Sequence, residues 1–177
     1  FMPNYVVNIV KMRGIAKLPL FSEEDGEKAF DFNKLIPLPA ELKMESGSMT
    51  ERSIVYFLTE RCTIPIQKLD QRKAAIVSEL VTNMFRPTGW PEKVFDLIGQ
   101  QVSGKTSEEQ NKVYEAGRQY VSNYEKYGFP TWYEWCINNW GTKWNAGDTV
   151  IIDADTIHFH TAWSNPCLLY TSDAADD

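Results

Sequence analysis

Val150-Ile151-Ile152-Asp153-Ala154-Asp155-Thr156-Ile157-His158-Phe159-His160-Thr161-Ala162-Trp163 is the stretch whose reading decides the fold class. β-Branched and aromatic residues fill both ends, and Asp153-Ala154-Asp155 is turn-like, so strands are expected over residues 150–152 and 157–163. Tyr5-Val6-Val7-Asn8-Ile9-Val10-Lys11-Met12 is a third short β-branched run, followed by Gly14, and predicts a strand at the other end of the chain. Three such strands need an apolar cover. Trp132, Cys136 and Trp140 recur every four residues and share a helix face. Thr131 is placed to cap that helix, which also carries Trp135. The helix is expected to lie on the sheet as its lid, with Trp135 and Trp140 mostly buried.

The middle of the chain reads differently. Residues 14–47 are irregular: Asp25-Gly26 marks a turn, and Pro37 and Pro39 forbid a helix across residues 35–40. Phe30-Asp31-Phe32-Asn33-Lys34-Leu35-Ile36-Pro37-Leu38-Pro39 is expected to be extended and packed on the sheet by its apolar residues. From Ser48 onward the pattern turns helical. Residues 50–61 predict a helix, although Ile54-Val55-Tyr56-Phe57-Leu58 also fits a buried strand. Pro65 suits a first helical position. Ile66, Leu69, Ile76, Val77, Leu80, Val81, Met84 and Phe85 then keep a 3.6-residue period. Pro91 opens a short helix through Val94, Phe95 and Ile98. Thr106 or Ser107 caps the next helix, with Glu108 and Glu109 in its positively polarised first turn. Its apolar face is Val113, Tyr114, Gly117, Tyr120, Val121, Tyr124 and Tyr127, and Gly128 stops it.

Composition bounds the function classes. With 43% hydrophobic and 13% aromatic residues, the chain is too apolar to be mainly disordered. No apolar run approaches the roughly 20 residues that span a bilayer. Phe1-Met2-Pro3-Asn4 lacks the charged and apolar regions of a secretory signal. Cys62, Cys136 and Cys167 share no metal-ligand spacing, and an odd number of scattered thiols fits a reducing compartment. A cytoplasmic location is therefore expected, with no membrane partner. The net charge of −6 argues against duplex nucleic acid, which wants a basic face. A nucleic-acid partner is not thereby excluded.

Both ends are unusual. Phe1 precedes Met2, as if the reading frame ran in from upstream of the start. After Pro166 the composition changes abruptly. Cys167-Leu168-Leu169-Tyr170-Thr171-Ser172-Asp173-Ala174-Ala175-Asp176-Asp177 resembles the conceptual translation of a sequencing adaptor. On that reading the authentic protein covers residues 2–166, its own C-terminus is missing, and residues 167–177 contribute nothing to folding. Setting aside Asp173, Asp176 and Asp177 halves the net charge.

Two motifs invite a chemical reading. Gly99-Gln100-Gln101-Val102-Ser103-Gly104-Lys105-Thr106 has the spacing of a phosphate-binding P-loop, in which backbone amides cradle phosphates and the lysine neutralises them. No strand is expected before it, and Glu108 and Glu109 after it would repel a triphosphate. Gly99, Gly104, Lys105 and Thr106 are accordingly read as a glycine-punctuated loop and a helix cap, with no nucleotide or other cofactor expected. His158 and His160, two residues apart on a strand, share a face. With Asp153 or Asp155 they are weak candidates for a metal site. The preferred reading is the polar outer face of an edge hairpin, with Phe159, Thr161 and Trp163 turned inward. The tryptophans could stack bases or sugars but at helical spacing are read as core, with Asn138, Asn139 and Asn145 as candidate indole partners. No nucleophile sits beside a base in sequence, so no catalytic residue is named.

The block Trp132-Tyr133-Glu134-Trp135-Cys136-Ile137-Asn138-Asn139-Trp140-Gly141-Thr142-Lys143-Trp144-Asn145-Ala146 resembles the signature of YubB/Api-type proteins of phages, prophages and plasmids. Met2-Pro3-Asn4, Phe30-Asp31-Phe32-Asn33-Lys34-Leu35-Ile36-Pro37 and Thr161-Ala162-Trp163-Ser164-Asn165-Pro166 fit the same family in the same order. The resemblance implies an α+β fold with a small, mostly antiparallel, ferredoxin-like sheet. Residues 48–128 would be a mainly helical insertion, and residues 129–166 the start of a ferredoxin-like part left incomplete by truncation. It marks Trp132, Trp135, Asn139, Trp140, Gly141, Thr142, Lys143, Trp144, Asn145 and Trp163 as motif residues with a structural role, and assigns no activity. Three functions follow as expectations. The first is a non-enzymatic accessory or interaction protein of a mobile element, acting on host or phage proteins. The second is a nucleic-acid-binding module using the sheet, and the third a nucleotide- or metal-dependent enzyme.

Overall fold

The computed structural model describes residues 4–24, 26–84 and 91–167. The chain is α+β and divides into two compact units, Phe1–Lys43 with Trp132–Asp177, and Met44–Thr131. Strands β1 (Tyr5–Lys11), β2 (Phe21–Glu24), β3 (Glu27–Phe30), β4 (Gly147–Ile151) and β5 (Thr156–Ala162) all belong to the first unit. Helices α1 (Ser48–Leu58), α2 (Gln71–Met84), α3 (Pro91–Ser103) and α4 (Ser107–Tyr127) build the second, and α5 (Trp132–Trp140) returns to the first.

In the first unit β1, β5 and β4 form an antiparallel sheet in that order. β1 and β4 each run antiparallel to β5 and so are parallel to one another, with β5 inserted between them. β5 is thus the central strand, and the edge position expected for His158 and His160 is corrected: the non-local partner β1 flanks the hairpin on its open side. β2 and β3 form a separate hairpin around Gly26, whose φ of +83° suits the expected turn.

The core of this unit is built from rings. Phe159 on the inner face of β5 meets Phe30 at 5.1 Å and Phe32 at 5.8 Å between ring centroids. Phe32 meets Trp140 at 5.7 Å, and Trp140 meets Trp135 at 5.7 Å. α5 does cover the sheet, with Trp135 and Trp140 buried, but Phe32 stands between the indole and the strand. The segment expected to be extended is therefore a sandwiched layer. After β3 it turns through a short 3-10 helix, Phe32–Lys34, which places Phe30 and Phe32 side by side.

The second unit is a helical cluster. Among the described residues its buried hydrophobic cluster is Ile54, Val55, Tyr56, Leu58, Val77, Ile98, Val102, Tyr120 and Val121. The stretch Ile54-Val55-Tyr56-Phe57-Leu58 is helical, which settles that alternative. α1 and α4 pack closest at Gly117, where a Cβ would collide with the Ser53 carbonyl. α4 begins at Thr106, whose hydroxyl accepts from the Glu109 amide while Glu109 accepts from the Thr106 amide, and ends at Gly128 with φ +79°. α3 runs on to Ser103, farther than expected, because Gly99 is tolerated inside a helix whose Ile98 and Val102 share the buried face. Pro65 caps the 3-10 turn Ile66–Lys68 and does not start α2. The side chains of Leu80, Val81, Met84, Val94 and Phe95 lie outside the described residues, as do Phe85, residues 1–3 and residues 168–177 of the expected tail. Among the described residues no helix is long and apolar enough to cross a membrane.

Candidate functional site

The motif residues meet around a polar knot in the first unit. Asp31 Oδ1 accepts from Asn145 Nδ2 at 2.7 Å, from the Asn33 amide at 2.9 Å and from Asn33 Nδ2 at 3.0 Å. Asn145 Oδ1 accepts from the Phe32 amide at 2.8 Å, and Thr149 Oγ1 from the Phe30 amide at 2.9 Å. Burial alone would raise the Asp31 pKa, but these hydrogen bonds and nearby Lys34 hold it below its ordinary value. Asn145 thus pins the phenylalanine segment, and the two quoted blocks of motif sequence come together in space.

The other motif residues serve the same scaffold. Trp140 Nε1 donates to the Ile36 carbonyl at 3.0 Å, so its partner is main chain and not one of the three asparagines. Asn139 Nδ2 donates to the Trp135 carbonyl one turn back, which leaves it occupied within the helix. Gly141, at φ +77°, ends α5 and lies against the Cys167 backbone. Thr142 Oγ1 donates to the Trp144 carbonyl, and Lys143 sits over the rings of Tyr133 and Trp144. Trp132 is half-buried and Trp144 exposed. Trp163, expected to point inward, is exposed: its φ of +71° breaks the strand alternation just after β5.

The unexplained surface is the outer face of the sheet. Strand alternation puts Tyr5, Val7 and Ile9 of β1, His158 and His160 of β5, Val150 of β4 and Ile152 beyond it on that side. Tyr5, Val7, Ile9, Val150 and Ile152 are between 52% and 58% exposed, a contiguous apolar patch where a soluble surface would normally be polar. Ile9, His158 and Val150 form one cross-strand row, and Val7 and His160 share the next. Lys11 stands at the patch's rim.

His160 has a partner that the sequence reading missed. Its Nδ1 lies 3.0 Å from Asp148 Oδ2. The register of β4 shifts between Gly147 and Val150, and Asp148 takes φ +45°, so a bulge turns this carboxylate onto the histidine. Nothing in linear spacing announces a bulge. The two carboxylates considered instead are spent in the turn: Asp153 accepts from the Asp155 amide, and Asp155 from the Gly14 amide. No group of three metal-ligating side chains exists among the described residues.

The P-loop-like residues lie in the second unit. Gly99 to Ser103 are the last turns of α3, so their amides are committed to helix hydrogen bonds, and the Lys105 amide donates to the Val102 carbonyl. Gly99, Gln100 and Ser103 instead line a cleft of about 520 Å³ with Tyr56, Arg61, Cys62, Asp96 and Gln110. Arg61 and Cys62 in its lining belong to a run of three consecutive left-handed residues that starts at Glu60. Arg61 donates to Asn111 at 2.7 Å and lies over the Tyr114 ring. Burial raises the Cys62 thiol, and pushes Cys136 up to about 12, so neither is primed as a nucleophile.

Set beside known proteins, the chain matches no family model, no curated protein and no solved structure.

Proposed function

We propose that this chain is a non-enzymatic interaction protein that docks a protein partner on the outer face of its sheet, the first of the three functions expected above. The supporting observation is the exposed row of Tyr5, Val7, Ile9, Val150 and Ile152 around two histidines. Such a patch costs solubility unless something covers it. A single-stranded nucleic acid would find the Tyr5 and His160 rings, 6.1 Å apart, but phosphate tracking needs a basic groove, and among the described strand residues this face offers only the lysine Lys11. The test compares proteins retained from a bacterial host extract by the wild-type chain and by a Val7→Glu/Val150→Glu variant whose circular dichroism is unchanged. A discrete protein retained by the first and lost from the second is expected. Identical retention by both would sink the proposal. Salt-sensitive binding of a single-stranded oligonucleotide, lost in Tyr5→Ala, would favour the nucleic-acid reading instead.

A further inference from the structure

His158 and His160 belong to the central strand, and their surroundings there differ from those of an ordinary polar face. β5 alternates cleanly: Ile157, Phe159 and Thr161 are buried, while Thr156, His158 and His160 are half-buried on the other side. Same-face neighbours on a strand are about 7 Å apart at Cα. Two imidazoles at that spacing can turn ring nitrogens onto one ion, at bond lengths of about 2.1 Å.

His158 lies in one cross-strand row with Ile9 of β1 and Val150 of β4. Among the described residues its ring nitrogens make no hydrogen bond, so no polar neighbour competes for its lone pair. His160 is held in place. Its Nδ1 is 3.0 Å from Asp148 Oδ2. A carboxylate there keeps a proton on Nδ1 and leaves the lone pair on Nε2. Metal-bound histidines characteristically donate their other ring N–H to a carboxylate in this way, which fixes the ring and raises its basicity as a ligand.

The backbone of β4 is bent to make that contact. Its register shifts between Gly147 and Val150, and Asp148 takes φ +45°. A left-handed non-glycine residue is costly, whereas an ion pair whose carboxylate is mostly exposed returns little stability. Orienting a ligand gives the contact a use that stability does not.

We infer that His158 and His160 chelate one divalent late-transition-metal ion, His160 through Nε2, with Asp148 as the positioning residue. No third ligating side chain joins them among the described residues, so the remaining coordination positions are open to water. This is not the four-ligand cage of a structural zinc. A pair of imidazoles favours Cu(II), Ni(II) and Zn(II) over Mn(II), and does not hold Mg(II) or Ca(II), which need oxygen ligands.

Ni(II) is the probe, added to the untagged chain, because its paramagnetism marks the ligands directly. The sequence has two histidines, so the imidazole proton resonances report these rings alone. Substoichiometric Ni(II) should broaden both rings together, and calorimetry should give one ion per chain. His158→Ala and His160→Ala, with unchanged circular dichroism, should each abolish this binding, whereas two independent single-histidine sites would each lose half. Any Ni(II) held by the thiols or chain ends persists in the double variant and is subtracted. Asp148→Asn keeps the size and suits the left-handed backbone. It should weaken the affinity about tenfold while both rings still broaden. Equal binding by wild type and the double variant overturns the inference, as does broadening of one ring alone. Unchanged affinity in Asp148→Asn overturns the positioning role. The chain alone carries every readout, so none of these outcomes depends on whether the outer face docks a partner.

Discussion

The two units hold themselves together by different means. In the first, short strands and irregular chain are stitched by side chains that bond distant backbone, and by a stack of rings running from Trp135 through Trp140 and Phe32 to Phe159. In the second, helices satisfy their own backbone, and stability comes from mixed aliphatic and tyrosine faces and a close crossing at Gly117. The contrast shows where a non-repeating structure is vulnerable. Each ring or anchor in the first unit meets a few specific partners, as Phe32 meets Phe30, Trp140 and Phe159, whereas the helical unit spreads its burial over apolar faces of four helices.

Trp140→Ala should produce the largest loss. It removes a buried indole with ring contacts to Phe32 and Trp135 and a hydrogen bond to Ile36, and should cost about 3–5 kcal/mol. Five of the six tryptophans lie in the first unit, so near-ultraviolet dichroism in a denaturant titration follows it well. A loss under about 1 kcal/mol would show that the ring stack is not the core of that unit.

Gly117→Ala attacks the other design. A methyl group there runs into the Ser53 carbonyl and Phe57 Cβ, neither of which is a flexible chain end. Overpacking of about 3 kcal/mol outweighs the gain of about 1 kcal/mol in helix propensity. The net loss of about 2 kcal/mol should appear in far-ultraviolet thermal melts. A variant as stable as wild type would mean that α1 and α4 can separate at no cost, and the contrast between the units would weaken.

These two sites also show what could be read from the sequence. The strands at the two ends of the chain and the tryptophan helix rest on strong periodicity, and they are present; so is the α+β class, which the resemblance implied. The β2–β3 hairpin was missed because Phe21-Ser22-Glu23-Glu24 and Glu27-Lys28-Ala29-Phe30 carry no β-branched residue, and glutamates and lysine occupy the paired positions. Phe32 as the middle of the ring stack was hidden because a 3-10 turn has no signature in an apolar segment. Asp148 and the exposed Trp163 depend on positive φ at non-glycine residues, which composition does not announce. The apolar outer face was legible only in part: strand alternation showed which residues share it, not that it would lie open.

The Asp31 knot offers a finer probe of the first unit. Its carboxyl is held below the ordinary value of 3.8 in the folded state, so ionised Asp31 stabilises the protein above that pH. The contribution is lost as pH falls through the lower folded value. Asn145→Ala removes one donor to Asp31 and the acceptor for the Phe32 amide, and should cost about 1.5 kcal/mol near neutral pH. The difference between variant and wild type should shrink in acid, once Asp31 is protonated in both. A difference independent of pH would assign the effect to the Phe32 contact alone.

The smallest effect is expected at Thr106, and it separates two readings of one residue. As a helix cap, the Thr106 hydroxyl accepts from the Glu109 amide at 3.3 Å while its own amide donates to Glu109 at 2.9 Å. That bonding, mainly to the Thr106 amide, lowers the Glu109 pKa. Thr106→Ala should therefore cost about 1 kcal/mol, with Thr106→Ser restoring most of it. The helix-cap reading concerns stability only, so Lys105→Ala beside it should leave the melting temperature and any ATP or GTP affinity unchanged. Magnesium-dependent nucleotide binding that disappears in Lys105→Ala would contradict this reading. The α3–α4 junction would then have to open out of its helical hydrogen bonds to expose the amides a phosphate needs, and the second unit would no longer be the self-satisfied partner in the comparison.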